Sequence, residues 1–121
     1  MTITSRLKLV LILSLMIVLA STFALTADQD CDTNQTIYQN NSSSTMVVTG
    51  EFTDGCKDAD SYVYVYDKGG QQTARGTVKD MHTINLTLDV PPGGRMDFNC
   101  RGNGQHGPGG CSSRLISACP K

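Results

Sequence analysis

The stretch VPPGGRMDFNCRGNGQHGPGGC, residues 90–111, decides the fold class, because it holds a turn, a short strand and a glycine-rich loop between two cysteines. Residues 91–94 interrupt an alternating run of apolar and polar side chains. Met96, Phe98 and Cys100 then occupy every second position, which places them on one face of a strand. We therefore expect Cys100 to point into a core built from strands.

The glycine-rich loop, residues 101–110, has five glycines and no hydrophobic side chain, so it cannot fold by burying itself. Residues 102–107 match the dinucleotide-binding pattern G-x-G-x-x-G. That motif works at the start of a helix, and the following Pro-Gly-Gly-Cys allows no helix to begin. We interpret the segment as a disulfide-closed loop, and Gln105 and His106 as candidate binding residues within it.

Period-two alternation continues on both sides of this stretch, most clearly at residues 61–67 and 83–90. Further strands are predicted at 45–53, 71–80 and 113–119, with a weaker edge strand at 35–39, whereas residues 28–32 look extended or loose. No apolar pattern of helical period occurs after residue 27. The sequence predicts an all-β chain of six to seven strands: a small, disulfide-stapled antiparallel β-sandwich, immunoglobulin-like or Greek-key.

Residues 1–27 have the organisation of a secretory signal peptide. Arg6 and Lys8 precede an apolar run at 9–20, and Ala24 and Ala27 each offer a small residue for cleavage. The run is shorter than the roughly 20 residues of a membrane-spanning helix. We expect a single domain at 28–121, secreted or periplasmic, with no membrane insertion after cleavage.

The expected mature chain is mildly acidic. Without Arg6 and Lys8 it keeps eight of the ten Lys and Arg residues against eleven Asp and Glu residues, a net charge near −3. It has no basic stripe to neutralise phosphates, so nucleic acid is excluded as a partner.

All five cysteines follow the predicted signal peptide, which in a small exported chain indicates a disulfide framework. If residues 112–118 form one strand, Cys111 and Cys119 lie about 26 Å apart and cannot bond. We predict the pairs Cys100–Cys111 and Cys31–Cys56. Cys119 is then free, pairs between chains, or displaces one of these choices by pairing with Cys31.

Three tyrosines, Tyr62, Tyr64 and Tyr66, recur at every second position of the predicted strand 61–67, with valines between them. If the row is exposed, it forms a rigid amphipathic platform for a protein or a sugar. If it points inward, it supplies bulk to a core that has few other aromatic residues. The sequence leaves both alternatives open.

No residue constellation predicts catalysis, a metal site or a cofactor. The two histidines, His82 and His106, lack the spacing of metal ligands relative to one another or to the cysteines. Asp89 and Asp97 flank the turn at 91–94 across a predicted hairpin, and we interpret them as surface charges rather than as a catalytic pair. The protein is therefore predicted not to be an enzyme.

Four Asn-x-Ser/Thr sequons occur, at Asn34, Asn40, Asn41 and Asn85, and in a eukaryotic host they would predict glycans, above all in the polar loop 40–44. This loop gives no sequence reason to be ordered.

The functional hypothesis is a small exported binding module that presents loops, and the tyrosine strand if exposed, to a macromolecular partner, either a protein or a glycan. The alternative is a structural subunit that forms homo-oligomers through an edge strand or an intermolecular disulfide of Cys119.

Overall fold

The computed structural model describes residues 26–102 and 109–121, and within these ranges the chain is all-β. Residues 1–25 of the predicted signal peptide lie outside the described residues, and the last two, Thr26 and Ala27, are part of the first strand. The strands follow the chain in the order β1 (Thr26–Asp30), β2 (Thr33–Gln39), β3 (Met46–Asp54), β4 (Ser61–Tyr66), β5 (Gln72–Val78), β6 (Thr83–Val90), β7 (Arg95–Cys100) and β8 (Gly110–Pro120).

The strands form two four-stranded antiparallel sheets, ordered β1-β8-β3-β6 in the first and β2-β7-β4-β5 in the second. The predicted antiparallel β-sandwich is confirmed, with eight strands in the described ranges rather than six or seven. The additional strand is β1, in the segment that looked loose. The residues of β1 are polar, which gave no sign of a strand. The side-chain amide of Gln29 connects it to the second sheet by donating to the carbonyl oxygens of Thr33 at 2.8 Å and Phe98 at 2.9 Å.

The core lies between the sheets and is built from alternate residues of the strands. Val48 and Phe52 enter it from β3, and Val63, Val65 and Phe98 enter it from the second sheet, all without exposed surface. The rings of Phe52 and Phe98 meet edge to face with centroids 5.1 Å apart. Burial of these side chains is the main contribution that holds the two sheets together.

The turn at 91–94 does not close a hairpin, because β6 belongs to the first sheet and β7 to the second. The chain crosses between the sheets here. Gly94 N–H donates to the Pro91 carbonyl oxygen at 2.9 Å, and Gly93 has a φ of 74°, a conformation that glycine adopts without strain. Asp89 and Asp97 therefore lie in different sheets rather than side by side.

One end of the sandwich carries two disulfides, and we call it the cysteine end. Cys31 bonds Cys56, and Cys100 in β7 bonds Cys111 in β8, so that the second bond joins the two sheets. The bridges touch, because Cys56 Sγ lies 3.4 Å from Cys100 Sγ. These are the two pairs that the sequence favoured, and Cys119 is free and exposed.

The opposite end is organised by a buried asparagine, and we call it the asparagine end. Asn40 has no exposed surface, and its side-chain nitrogen donates to the carbonyl oxygens of Ser44 at 2.8 Å, Val90 at 2.9 Å and Pro91 at 3.1 Å. The expectation that loop 40–44 lacks a reason to be ordered was wrong. Because its amide is buried and fully used, Asn40 is also unsuited to carry a glycan, whereas Asn41 is exposed.

Candidate binding face

The outer side of the second sheet carries the tyrosine row. Along β4 the two valines are fully buried, while Tyr62, Tyr64 and Tyr66 are half-buried and alternate with them. The tyrosines therefore point away from the core, which decides between the two alternatives that the sequence left open. We call this surface the tyrosine face.

The three rings form a continuous row. The ring centroids of Tyr62 and Tyr64 are 5.9 Å apart and those of Tyr64 and Tyr66 are 6.1 Å apart, with angles of 31° and 41° between the ring planes. The two centroid distances together give the row a length of about 12 Å along the strand.

Two arginines flank the row. The Arg75 guanidinium carbon lies 5.4 Å from the ring centroid of Tyr62, and that of Arg95 lies 4.5 Å from that of Tyr66. Both distances are within the range of cation–π attraction, so the arginines hold the outer rings in place. Arg95 also contacts Asp97 Oδ2 at 3.3 Å, whereas Arg75 forms no ion pair with any residue in the described ranges.

Asp97 lies beneath this surface, and its interpretation as a surface charge was wrong. Only 3% of the residue is exposed. Thr36 donates to Oδ1 at 2.9 Å, while Asn34 and Arg95 donate to Oδ2 at 3.0 and 3.3 Å. A buried carboxylate needs such partners, and together they tie β2 to β7 under the tyrosine row. Asp89 forms instead an exposed ion pair with Lys121, at 2.7 Å.

The other outward side chains of the second sheet's strands are polar. The strand registers place Arg75 and Asp97 on either side of Tyr64, with Thr77 and Asn99 on either side of Tyr62. Sequence reasoning missed these neighbours. The sequence predicted which residues of each strand share a face, but it did not predict the order of the strands in the sheet. The strand order places these residues next to the tyrosines.

Gln105 and His106 lie outside the described residues. His82 is exposed in the connection between β5 and β6, with Nδ1 2.7 Å from the carbonyl oxygen of Asp80.

A second cluster of chemically active groups lies at the cysteine end. Asp54 is 1% exposed and accepts hydrogen bonds from Ser61 Oγ at 2.8 Å and from the N–H of Cys56 at 2.9 Å. Burial raises the pKa of Asp54, and these two hydrogen bonds oppose the rise. Asp54, Cys56 and Cys111 lie close enough to hold a metal ion, but both sulfurs belong to disulfides and offer no thiolate.

Comparison with known proteins adds little to this picture. No protein-family model and no curated protein match the chain. One solved structure is similar at 11% identity with a TM-score of 0.32: a chain from the crystal structure of the T13 IBDV viral particle, which is described as revealing a missing link in icosahedral viruses evolution. The match covers 77% of this chain and 29% of the viral one, and a likeness this weak establishes neither family nor function.

Proposed function

We propose that this protein is a small exported binding module and that its tyrosine face binds a glycan. The observation that carries the proposal is the row of three outward tyrosines, at ring spacings of 5.9 and 6.1 Å, on a rigid central strand. Each ring offers an apolar flat side and a polar hydroxyl. The row is long enough for more than one sugar ring, so the ligand class is an oligosaccharide or polysaccharide.

The side chains around the row favour a sugar over a protein. Sugars combine apolar C–H faces with hydroxyl edges, and the tyrosine face combines aromatic rings with amide, hydroxyl and guanidinium groups. The core of a protein–protein interface is instead depleted of charged residues and rich in apolar ones. At the centre of the tyrosine face, Tyr64 lies between Arg75 and Asp97 and has no aliphatic neighbour on either adjacent strand.

The module needs no movement to expose this surface. β4 lies between β7 and β5, so its backbone is hydrogen-bonded on both sides. The strand that carries the three tyrosines is therefore fixed in the sheet. A preformed site loses less conformational entropy on binding than a flexible loop does.

Export, to the exterior or to the periplasm, is part of the proposal. Two disulfides are compatible with an oxidising environment. No helix in the described ranges has the length and apolarity needed to cross a membrane. The N-terminal segment 1–27 has the sequence pattern of a secretory signal.

The test is binding of the purified protein to a panel of insoluble polysaccharides (cellulose, chitin, xylan and mannan), followed by titration with soluble oligosaccharides of the retained type. Tyr64→Ala removes the central ring and is expected to weaken binding by at least about tenfold, the equivalent of 1.4 kcal/mol. Tyr64→Phe keeps the ring and should retain most of the affinity.

The matched control is Thr49→Ala, which truncates a half-buried side chain hydrogen-bonded to Thr87 on the outer face of the first sheet. It should bind as the wild type does, and urea unfolding should show that each variant is folded. Retention of none of the polysaccharides, or equal retention of wild type and Tyr64→Ala, would refute the glycan proposal. In the first case, a protein partner becomes the better hypothesis, and in the second case, the glycan binds at a surface other than the tyrosine face.

The second candidate function is a structural subunit, which the exposed thiol of Cys119 near the C-terminus favours. An intermolecular disulfide at this position would give a dimer with a two-fold axis. Non-reducing electrophoresis of the exported protein separates the candidates, because a reductant-sensitive dimer that Cys119→Ser abolishes is expected only of the structural subunit.

A further inference from the structure

One edge of strand β8 is paired with a neighbouring strand over only about half of its length. Strand β8 pairs with β3 from Cys111 to Pro120, with a register shift at Ile116, but β1 pairs with it only at 110–114, where Thr26 lies opposite Arg114. Among the residues that the structure describes, none pairs with the other edge of β8 from Leu115 onward. Alternate N–H and C=O groups along such an edge are free to pair with another strand.

An apolar groove of about 380 Å³ lies beside this free edge. The side chains of Tyr38, Met46, Leu115 and Ala118 line it, and each of them is partly buried against the core. None of the described residues that line it is charged. We call it the β8 groove. Burial of the Tyr38 phenol raises its pKa, which is consistent with a poorly hydrated wall.

The β8 groove lies directly in line with β1. If the antiparallel pairing continued upstream of Thr26, the residue that precedes Thr26 would lie opposite Leu115. Cleavage of the predicted signal peptide after Ala24 or Ala27 leaves at most one residue before Thr26. The mature chain then has no N-terminal segment long enough to cover the edge from 116 to 120.

We propose that the β8 groove accepts an added strand from a partner protein. The occupant is an uncharged extended segment with apolar residues at every second position, aligned with β1 and antiparallel to β8. Backbone hydrogen bonds to the free edge of β8 provide affinity, and alternate side chains in the groove provide selectivity. The site is independent of the tyrosine face, because the groove opens at β8 and β2 whereas the tyrosines lie on the outer side of β4.

The probe is a capped, fluorophore-labelled hexapeptide of alternating threonine and valine, a composition that favours extended structure. Fluorescence anisotropy with the protein as exported and processed by its own host should show saturable binding. Two further peptides carry N-methyl groups on all valines or on all threonines. All N–H groups of one residue type point to the same side of the peptide, so one methylated peptide should lose at least about tenfold in affinity. The other should bind as the parent does.

The protein variant is Ala118→Leu, which fills the β8 groove, and its control is Thr49→Leu, which adds the same side chain on the outer face of β3. Only Ala118→Leu should weaken peptide binding, and urea unfolding of both variants shows whether they are folded. Loss of binding in both methylated peptides, or in neither, overturns strand addition in favour of non-specific adsorption.

Intact mass and native mass of the same sample distinguish the other possible occupants. A mature chain that begins upstream of residue 22 and does not bind the peptide would assign the groove to the protein's own N-terminal segment. A native mass of two chains that the peptide dissociates would assign it to a second copy. Either result, or the absence of peptide binding to a folded monomer, overturns the proposal.

Discussion

The two ends of the sandwich are stabilised by different interactions. At the cysteine end, two disulfides in mutual contact join β1, β3, β7 and β8 or the turns that follow them, with Sγ atoms of the two bridges 3.4 Å apart. At the asparagine end, the amide of Asn40 binds three carbonyl oxygens from loop 40–44 and from the crossing between the sheets. One end is closed by covalent bonds, and the other by the hydrogen bonds of one side chain.

The difference teaches where each type of stabilisation acts. A disulfide acts mainly on the unfolded chain by restricting its conformations. The Asn40 hydrogen bonds exist only in the folded state, where one of them provides a donor to the buried carbonyl group of Val90. Mutations at the cysteine end should therefore change the unfolded ensemble, whereas mutations at the asparagine end should change the folded structure locally.

The largest expected effect is the loss of both disulfides. The Cys31–Cys56 bridge spans a sequence separation of 25, and the Cys100–Cys111 bridge spans 11. Loop-closure entropy assigns about 3.5 kcal/mol to the first and about 3 kcal/mol to the second. Replacement of each pair by alanine should lower the free energy of unfolding by about these amounts in urea titrations. Removal of both pairs should leave the chain unfolded, since a domain this small has little stability to lose.

The control for the cysteine end is Cys119→Ser, because this thiol is exposed and unbonded. Its unfolding free energy should equal that of the wild type within about 0.5 kcal/mol. If each single-pair variant lost less than about 1 kcal/mol, the assignment of this end's stability to its bridges would be wrong.

The next effect in size is that of Asn40→Ala at the asparagine end. The change leaves the buried carbonyl group of Val90 without its Asn40 donor and that of Pro91 with the Gly94 N–H alone, and it also removes the acceptor for the N–H of Ser42. We expect a loss of about 2–4 kcal/mol in the free energy of unfolding, because each unsatisfied buried group costs about 1–3 kcal/mol.

The matched control is Asn41→Ala, which truncates the same side chain one residue later at an exposed position. It should change stability by less than about 0.5 kcal/mol. Hydrogen exchange adds a local measurement: Asn40→Ala should accelerate exchange near residue 93, whose N–H donates to the Asn40 carbonyl oxygen, and leave the cysteine end protected. Equal losses in both variants would contradict the role of Asn40.

The two ends also differ in how readable they are from the sequence. The need to close a glycine-rich loop predicted the Cys100–Cys111 pair, and strand length excluded Cys111–Cys119, both of which are local arguments, whereas Cys31–Cys56 was a preference that left Cys31–Cys119 open. The role of Asn40 could not be predicted, because a polar residue in a polar segment gives no sign that its amide will contact carbonyl groups some 50 residues later in the chain. The same limit applies to Asp97, whose partners Asn34 and Thr36 arrive from a strand more than 60 residues earlier.

The tyrosine face shows the same limit at the level of sheets. Alternation along β4 predicted a strand with two different sides, and it could not decide which side faces the core. That choice depends on the placement of β4 between β7 and β5, where the valines meet Phe98 and the first sheet while the tyrosines remain outside. Periodicity is thus sufficient for strands and fold class, whereas the composition of a surface requires the order of the strands.

The smallest expected effect is a pH dependence at the cysteine end, centred on Asp54. Burial raises the pKa of this carboxyl group above its ordinary value of 3.8, so the folded protein holds the proton more tightly than the unfolded chain does. The stability contributed by the protonated form is fully present below pH 3.8 and is lost as the pH rises through the folded-state pKa. This sign is opposite to that of a salt-bridged aspartate.

Asp54→Asn removes this titration and keeps one oxygen to accept a hydrogen bond from Ser61 or from Cys56. The quantity to measure is the unfolding free energy of the wild type minus that of the variant, from urea titrations at a series of pH values between about 3 and 7. The subtraction cancels the groups that both proteins share. This difference should fall with rising pH and then level off above the folded-state pKa of Asp54. A difference that stays flat would mean that the two donors offset the effect of burial and leave the pKa of Asp54 unchanged on folding, and a difference that rises would mean that they hold this pKa below its ordinary value.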